Sequence, residues 1–295
     1  MKNSGKTGFL QKSWFSRKKT SFVKNSYIVK ELVKRNIKVQ YRNSAIGVLW
    51  TILNPLLNML VMFIVFSSMF GKNDPYYALY LLCGTITFAL MRNATTQSMT
   101  SIVNNRGLLT KNKISQYVFP VAHNISAVIN FAFSLVALLA VMLFVAIKNY
   151  PTGFSIFSPN ILLVFVMLPA LFLFSYGLSL VLATVYVFFR DIQHFYNVFL
   201  TLWTYLTPMF YKPEDFFANA EAGDVSAKLI SWIININPMY HFVDYFRDVV
   251  YFCASGGIGL PGFGDVLVLY GWGLGAFLVG TLVFSLTRPK FIYNI

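Results

Sequence analysis

Residues 47–70 read GVLWTILNPLLNMLVMFIVFSSMF, twenty-four positions without one charged side chain. At 1.5 Å per residue, a helix of that length reaches about 36 Å, enough to cross a hydrocarbon layer of about 30 Å with some tilt. A single Lys or Asp at its centre would cost about 2.5–3.5 kcal/mol, and none is present. The stretch predicts a transmembrane helix and therefore an integral membrane protein.

The flanks set the orientation. The 46 residues before Gly47 carry twelve Lys and Arg against one acid, Glu31. Such an excess marks the cytoplasmic side of a membrane, with anionic lipid headgroups as counter-charge. Over the whole chain, 57% apolar and only 12% charged residues, with a mean hydropathy of +0.61, exclude a soluble domain. The net charge of +14 would suggest nucleic acid in a soluble protein, but its concentration in the leader points to membrane lipids instead. No nucleic-acid partner is expected. The leader lacks an apolar signal-peptide core, so the chain is expected to insert through its own spans.

The pattern divides the chain into a basic cytoplasmic leader, 1–26, and a membrane domain, 27–295. Hydropathy predicts six spans, at about 47–70, 76–97, 118–147, 161–189, 196–211 and 266–286. An even number returns the C-terminus to the starting side, where Arg288 and Lys290 agree with a cytoplasmic end. Arg106, Lys111 and Lys113 fall on that side as well. The acids Asp74, Glu214, Asp215, Glu221, Asp224, Asp244, Asp248 and Asp265 fall opposite. The expected fold is all-α and multi-pass in a plasma membrane, with both termini cytoplasmic.

Three irregularities refine it. Ile28, Val29, Leu32, Val33, Ile37 and Tyr41 share one helical face against Lys30, Glu31, Lys34, Arg35, Lys38 and Arg42, which predicts an interfacial amphipathic helix over 27–42. The second span turns polar after Leu90, reading Met91-Arg92-Asn93-Ala94-Thr95-Thr96-Gln97-Ser98. Lipid rejects such a sequence, whereas a wet vestibule accepts it. The fifth span reaches only about 24 Å before Pro208. The apolar stretch Leu229–Tyr251 that follows holds Pro238, Asp244, Arg247 and Asp248, which predicts re-entrant or interfacial outer helices between spans five and six.

Familiar chemical motifs are absent or broken. Gly5-Lys6-Thr7 copies only the tail of a phosphate-binding loop, and Pro261 interrupts the helix that a Gly257, Gly259, Gly262 fingerprint would need. His123, His194 and His241 are too scattered for a metal or catalytic set, so no metal is expected. Cys83 and Cys253 are not expected to meet as a disulfide. Gly271 and Gly275 form a small-xxx-small pair suited to close helix packing. Spans one, three, four and six have no charge in their middles, which disfavours ion coupling. The chain is expected to move something while lacking its own energy source.

Particular residues then point to a family. The run from Arg35 through Tyr41-Arg42-Asn43-Ser44-Ala45-Ile46-Gly47-Val48-Leu49-Trp50, followed by Leu53-Asn54-Pro55-Leu56, resembles the opening signature of ABC-exporter permeases for polysaccharides and teichoic acids. Asn104 through Lys113 with Phe119-Pro120 resembles that family's cytoplasmic coupling segment. Phe189-Arg190-Asp191-Ile192, Thr207-Pro208-Met209-Phe210-Tyr211 and Asn237-Pro238-Met239-Tyr240 with Arg247 follow in the family's order. The resemblance covers about Tyr27 to Arg288.

It implies a non-enzymatic half-transporter that pairs with a second copy of itself and with two ATP-binding-cassette subunits. Those subunits would hold ATP and Mg, and this chain no cofactor. Asn105, Arg106, Leu108, Leu109, Lys111, Arg190 and Asp191 are the implied ATPase contacts. Pro208, Tyr211, Asn237, Pro238, Tyr240 and Arg247 are the implied exit gate. Aromatic rings stack on the flat C–H faces of sugars, and Trp50, Phe63, Phe66, Tyr80, Phe88, Tyr196, Phe199, Trp203 and Tyr205 lie in spans placed at the dimer interface. Arg35, Arg42 and Arg92 are the cations expected to meet a lipid-linked pyrophosphate. The expected cargo is a lipid-linked polysaccharide: O-antigen, capsule or teichoic acid. A drug or lipid exporter, and a glycan-modifying membrane enzyme, are the alternatives.

Overall fold

A computed structural model describes residues 24–40, 42, 47, 49–70, 74, 76–111, 114–148, 159–252 and 261–291. The leader up to 23, Cys253, Gly257 and Gly259 lie outside the described residues. Every regular element among them is helical: α1 (24–40), α2 (Leu49–Phe70), α3 (Tyr77–Asn104), α4 (Arg106–Lys111), α5 (Val118–Lys148), α6 (Val164–Phe188), α7 (Ile192–Leu206), α8 (Glu214–Glu221), α9 (Val225–Ile236), α10 (Pro238–Arg247) and α11 (Phe263–Thr287). A 3-10 turn, Pro159–Leu163, leads into α6, and a π turn, Asp248–Phe252, ends α10. Among the described residues, four helices are long and apolar enough to cross a membrane: α2, α5, α6 with its leading turn, and α11. α3 is long but polar over its second half, and α7 has only 15 residues.

α3 is the hub, packing against α2, α5, α6 and α10. Its buried threonine hydroxyls are satisfied within the helix: Thr87 donates to the Cys83 carbonyl and Thr95 to the Met91 carbonyl, both at 2.8 Å. That internal bonding lets a polar sequence sit inside a membrane protein. Asn124 of α5 adds a cross-helix knot, donating to Ser98 Oγ of α3 at 3.1 Å and Ser179 Oγ of α6 at 3.0 Å.

α6 and α11 run parallel in close contact. A Cβ on Gly177 would lie 2.2 Å from the Ala276 carbonyl oxygen, and one on Gly273 2.7 Å from that of Ala170. On Gly280 it would meet the Gly177 carbonyl oxygen at 2.2 Å. Only hydrogen permits that approach. The expected pair Gly271 and Gly275 is not the packing surface, since a Cβ there meets nothing within 4 Å. The 3.6-residue period turns those two positions away from α6, while 273 and 280, seven apart, face it.

α1 also differs from a free surface helix. Its apolar face is spent on protein: Leu32 and Val33 are buried against Val118, Phe119 and Ala122 at the start of α5, with Leu109 of α4 packed on the same cluster. Lys24, Lys30, Glu31, Lys34 and Lys38 remain exposed on its other side.

Candidate functional site

Chain alternation brings α1, α4 and the α6–α7 corner to one end of the bundle, here the near end, and α8–α10 to the far end. At the near end, where the segment resembling a coupling element begins, the helix is broken at Asn105, between α3 and α4. The Asn105 backbone N–H turns to the Ile102 carbonyl at 3.2 Å, and its side-chain Nδ2 takes the Ser101 carbonyl at 2.7 Å. Its Oδ1 accepts from Arg35 Nη2 at 3.0 Å, so α1 is latched to the joint between α3 and α4. Arg106 and Leu108 are exposed beyond the joint, while Leu109 is half-buried and anchors the short helix. The Lys111 side chain lies outside the described residues. Arg190 and Asp191 are exposed at the α6–α7 corner.

Two polar cavities open along α3. The larger, about 560 Å³, lies between α1, α3 and α5 and is lined by Arg35, Asn36, Gln97, Asn104 and His123 among others. The smaller, about 250 Å³, lies between α2, α3 and α5, with Asn54, Asn58, Arg92, Asn93 and Asn130 in its wall. Gln40 lines both, and accepts from Asn130 Nδ2 at 3.1 Å. Arg92 donates to Thr204 Oγ1 of α7 at 2.8 Å and lies 5.3 Å from the Phe88 ring centroid. Arg42 is exposed. The three arginines therefore stand apart, with Arg35 and Arg92 in separate cavities.

The aromatic set divides. Tyr80, Phe88, Tyr196 and Trp203 are buried within the single chain. Trp203 packs edge-on against Phe88, their centroids 6.1 Å apart, and donates its indole N–H to Asn237 Oδ1 at 2.7 Å. Tyr196 donates to Thr95 Oγ1 at 2.8 Å. These bonds bolt α7 to α3 and to the α9–α10 junction. Phe66 is half-buried and stacked on Phe210 at 5.1 Å. Trp50, Phe63, Phe199 and Tyr205 are exposed, on the outward faces of α2 and α7.

The far end is organised by a buried cation. Arg247 is 1% exposed, stacked 3.5 Å over the Tyr80 ring, and donates to the carbonyls of Pro208 at 2.7 Å, Met209 at 3.0 Å and Tyr80 at 3.4 Å. A Cβ on Gly84 would sit 3.0 Å from its Nη2, so glycine there makes room for the guanidinium. Asn237 caps α10 by accepting from Met239 N at 3.0 Å, with Pro238 in the first turn. Pro208 and Tyr240 are buried and Tyr211 is half-buried. Thus the six residues expected at an exit gate gather around one joint between α7 and α10. Nearby, Lys212 meets Asp74 at 3.0 Å and the Tyr251 hydroxyl at 3.1 Å, and Tyr251 donates to the same carboxylate. Burial works against the charge of Lys212, and those bonds outweigh it, raising its pKa. Burial, aided by Asp244 and Asp265, pushes the Asp248 carboxyl up to about 7, against the opposing pull of Arg247.

Residues 27–251 match the ABC-2 type transporter family. The chain belongs to that family. A Myxococcus xanthus protein named "O-antigen export system permease protein RfbA" is 30% identical over 220 residues, 75% of this chain and 78% of that protein. Two Klebsiella pneumoniae proteins of the same name are 23% and 24% identical, over 88% of this chain and 92% of theirs. Family and apolar helices together make this a multi-pass membrane protein, of a kind that works as the membrane subunit of a transporter.

Sequence reading missed the partners that hold this ABC-2 type chain in place. Neither Gly84 nor Asn124 carries a local signal of the contact it makes. The Asp74, Lys212 and Tyr251 cluster joins positions up to 177 residues apart, which no local pattern encodes. For Gly177 a signal existed, since Gly177, Gly273 and Gly280 all lie within predicted spans; only the helix pairing was missing.

Proposed function

We propose that this chain is the permease subunit of an ATP-driven exporter that passes a lipid-linked polysaccharide outward across a bacterial plasma membrane. The observation that carries the reading is the alignment with the O-antigen export permeases over 88% of the chain, within an ABC-2 family match. Glycan of the O-antigen, capsule or teichoic acid kind is the cargo, and two copies with two separate ATP-binding subunits make the working assembly. ATP and Mg belong to those subunits.

Six crossings fit this role: the four apolar helices plus α3 and α7. α3 is about 42 Å long and turns its polar residues inward or into cavities, so lipid need not meet them. α7 spans about 22 Å, and the chain beyond it turns back into α8–α10 as re-entrant or interfacial outer segments. The basic leader and the near end then face the cytoplasm. Exposed apolar faces on α2 and α7, bearing Trp50, Phe63, Phe199 and Tyr205, supply the conduit between copies, with the buried aromatics as its backing. α4 and the Arg190–Asp191 corner dock the ATPase; Pro208, Tyr211, Asn237, Pro238, Tyr240 and Arg247 shape the exit. Arg35, Arg42 and Arg92 serve the cargo's diphosphate.

The test is direct. Leu108→Asp with Leu109→Asp is expected to abolish glycan export and to stop co-purification of the ATPase subunit. A double variant that still purifies as an intact complex contradicts the docking.

A further inference from the structure

The two cavities share a single polar stripe on α3. Thr85, Ala89, Arg92 and Asn93 line the smaller, and Gln97, Thr100 and Asn104 the larger. At the helical rise these nineteen steps cover about 28 Å. The other walls repeat the pattern: Thr51, Asn54 and Asn58 lie on one face of α2, and His123, Asn130 and Ser134 on one face of α5. Gln40 of α1 stands where the cavities adjoin.

Asn54 and Asn58 are exposed on a helix otherwise apolar enough to span a membrane. Hydrocarbon against two amides one turn apart would leave their donors and acceptors unmet, at several kcal/mol per group. Something polar must lie against them. Among the described residues the lining holds no carboxylate, many neutral amides, and a guanidinium in each cavity. Amides both donate and accept, as sugar hydroxyls do. In the described contacts each guanidinium spends one of its five donors, Arg35 on Asn105 and Arg92 on Thr204, and an Arg fork matches phosphate oxygens.

We propose that this groove, walled by α1, α2, α3 and α5, is the site within one protomer that receives the phosphorylated sugar head of a polyprenyl-linked cargo. Phosphate meets Arg35 or Arg92 while hydroxyls meet the amides of Gln40, Asn54, Asn58 and Asn93. This rests on the transport reading above and adds to it where the head binds. It also gives Arg35 two duties, because the side chain that lines the larger cavity is the one latched to the α3–α4 joint.

The test uses the permease–ATPase complex in lipid nanodiscs carrying Asn58→Cys or Asn93→Cys, with the chain bearing only its native cysteines as background and Glu221→Cys, exposed at the end of α8, as control. A small charged methanethiosulfonate reagent is expected to label both groove positions. Prior addition of polyprenyl diphosphate N-acetylglucosamine is expected to slow that labelling at least tenfold and leave the control unchanged, while polyprenol and phosphatidylglycerol do neither. Equal protection by phosphatidylglycerol would make the groove an ordinary lipid site and overturn the proposal, as would no protection at all. Should Asn93→Cys fail to fold, the exposed Asn58 position decides alone. Glycan export by cells whose groove cysteines show no protection would sink the groove and leave the transport reading standing; absence of export by the unaltered chain would sink the transport reading instead.

Discussion

Replacing Arg247 tests the organisation of the far end. Arg247→Met keeps length and removes the fork. The Tyr80 carbonyl belongs to α3 and keeps its helical partner, but the Pro208 and Met209 carbonyls sit in an irregular turn. Each buried carbonyl left unmet costs about 1–3 kcal/mol, which sums to roughly 2–6 kcal/mol before relief of the arginine's own desolvation. The lost stacking on Tyr80 adds about 1–2 kcal/mol. A net loss near 3 kcal/mol corresponds to a melting point lower by about 5 °C or more for a chain of this size. Arg247→Lys separates charge from shape. A lysine keeps the positive charge but offers one compact ammonium that cannot reach both carbonyls and lie flat on the ring. Both variants are therefore expected to melt lower in detergent, with lysine at least as damaging as methionine. A lysine variant that melts within a degree of the parent refutes the fork-and-stack account and reduces Arg247 to a generic buried cation.

Further tests follow from the same geometry. Asp248 has a folded pKa of about 7 against a reference of 3.8, so the folded state holds its proton more tightly than the unfolded state. Stability is fully present below the reference value and lost as pH rises through about 7. Asp248→Asn should flatten the melting profile between pH 4 and 8 and gain on the order of 1–2 kcal/mol above pH 7 once solvent screening is allowed for; an unchanged slope refutes it. Gly177→Ala drives a methyl into the Ala276 backbone and should lower the melting point by several degrees, while Gly271→Ala, in open space, should leave it unmoved; equal effects would contradict the α6–α11 register. Trp203→Phe loses the 2.7 Å bond to Asn237 and should cost about 1 kcal/mol, measured as increased hydrogen exchange at the α9–α10 junction.

The apolar helices were largely legible because lipid imposes a length and a composition that sequence must show, but the short fifth span, expected over 196–211, is the helix Ile192–Leu206. That a distinct segment starts at Asn104 was readable from the resemblance, and the structure ends α3 at that residue. The latch on that break was not, because Arg35 and Asn105 are 70 residues apart and nothing local specifies the pair. Hydropathy also misled where it saw only greasiness. Tyr80, Phe88, Tyr196 and Trp203 look like pore lining in a one-dimensional pattern, yet all four are buried within the chain, Phe88, Tyr196 and Trp203 between α3 and α7 and Tyr80 beneath Arg247. α1 was readable as amphipathic, but an amphipathic pattern states only that one face is buried. Whether lipid or α5 buries it depends on what stands opposite.

The same limit explains why α3 was the hardest element to classify. A helix whose second half is polar fails any test of lipid compatibility, but that test assumes lipid is its surrounding. In the folded chain its hydroxyls bond inward to their own carbonyls, and its longer polar side chains open into cavities. In the proposed exporter this helix is also the one element bearing on both ends, since Asn105 joins it to α4 while Arg247 grips Tyr80, 25 positions earlier. Displacement of α4 by a docked ATPase would reach the exit through about 38 Å of continuous helix, without a relay through loops. Arg247→Met should then uncouple cargo export from ATP hydrolysis as well as lower stability. A variant complex that melts lower but keeps the parent ratio of glycan exported to ATP hydrolysed would show that the clasp holds the far end together without carrying the stroke.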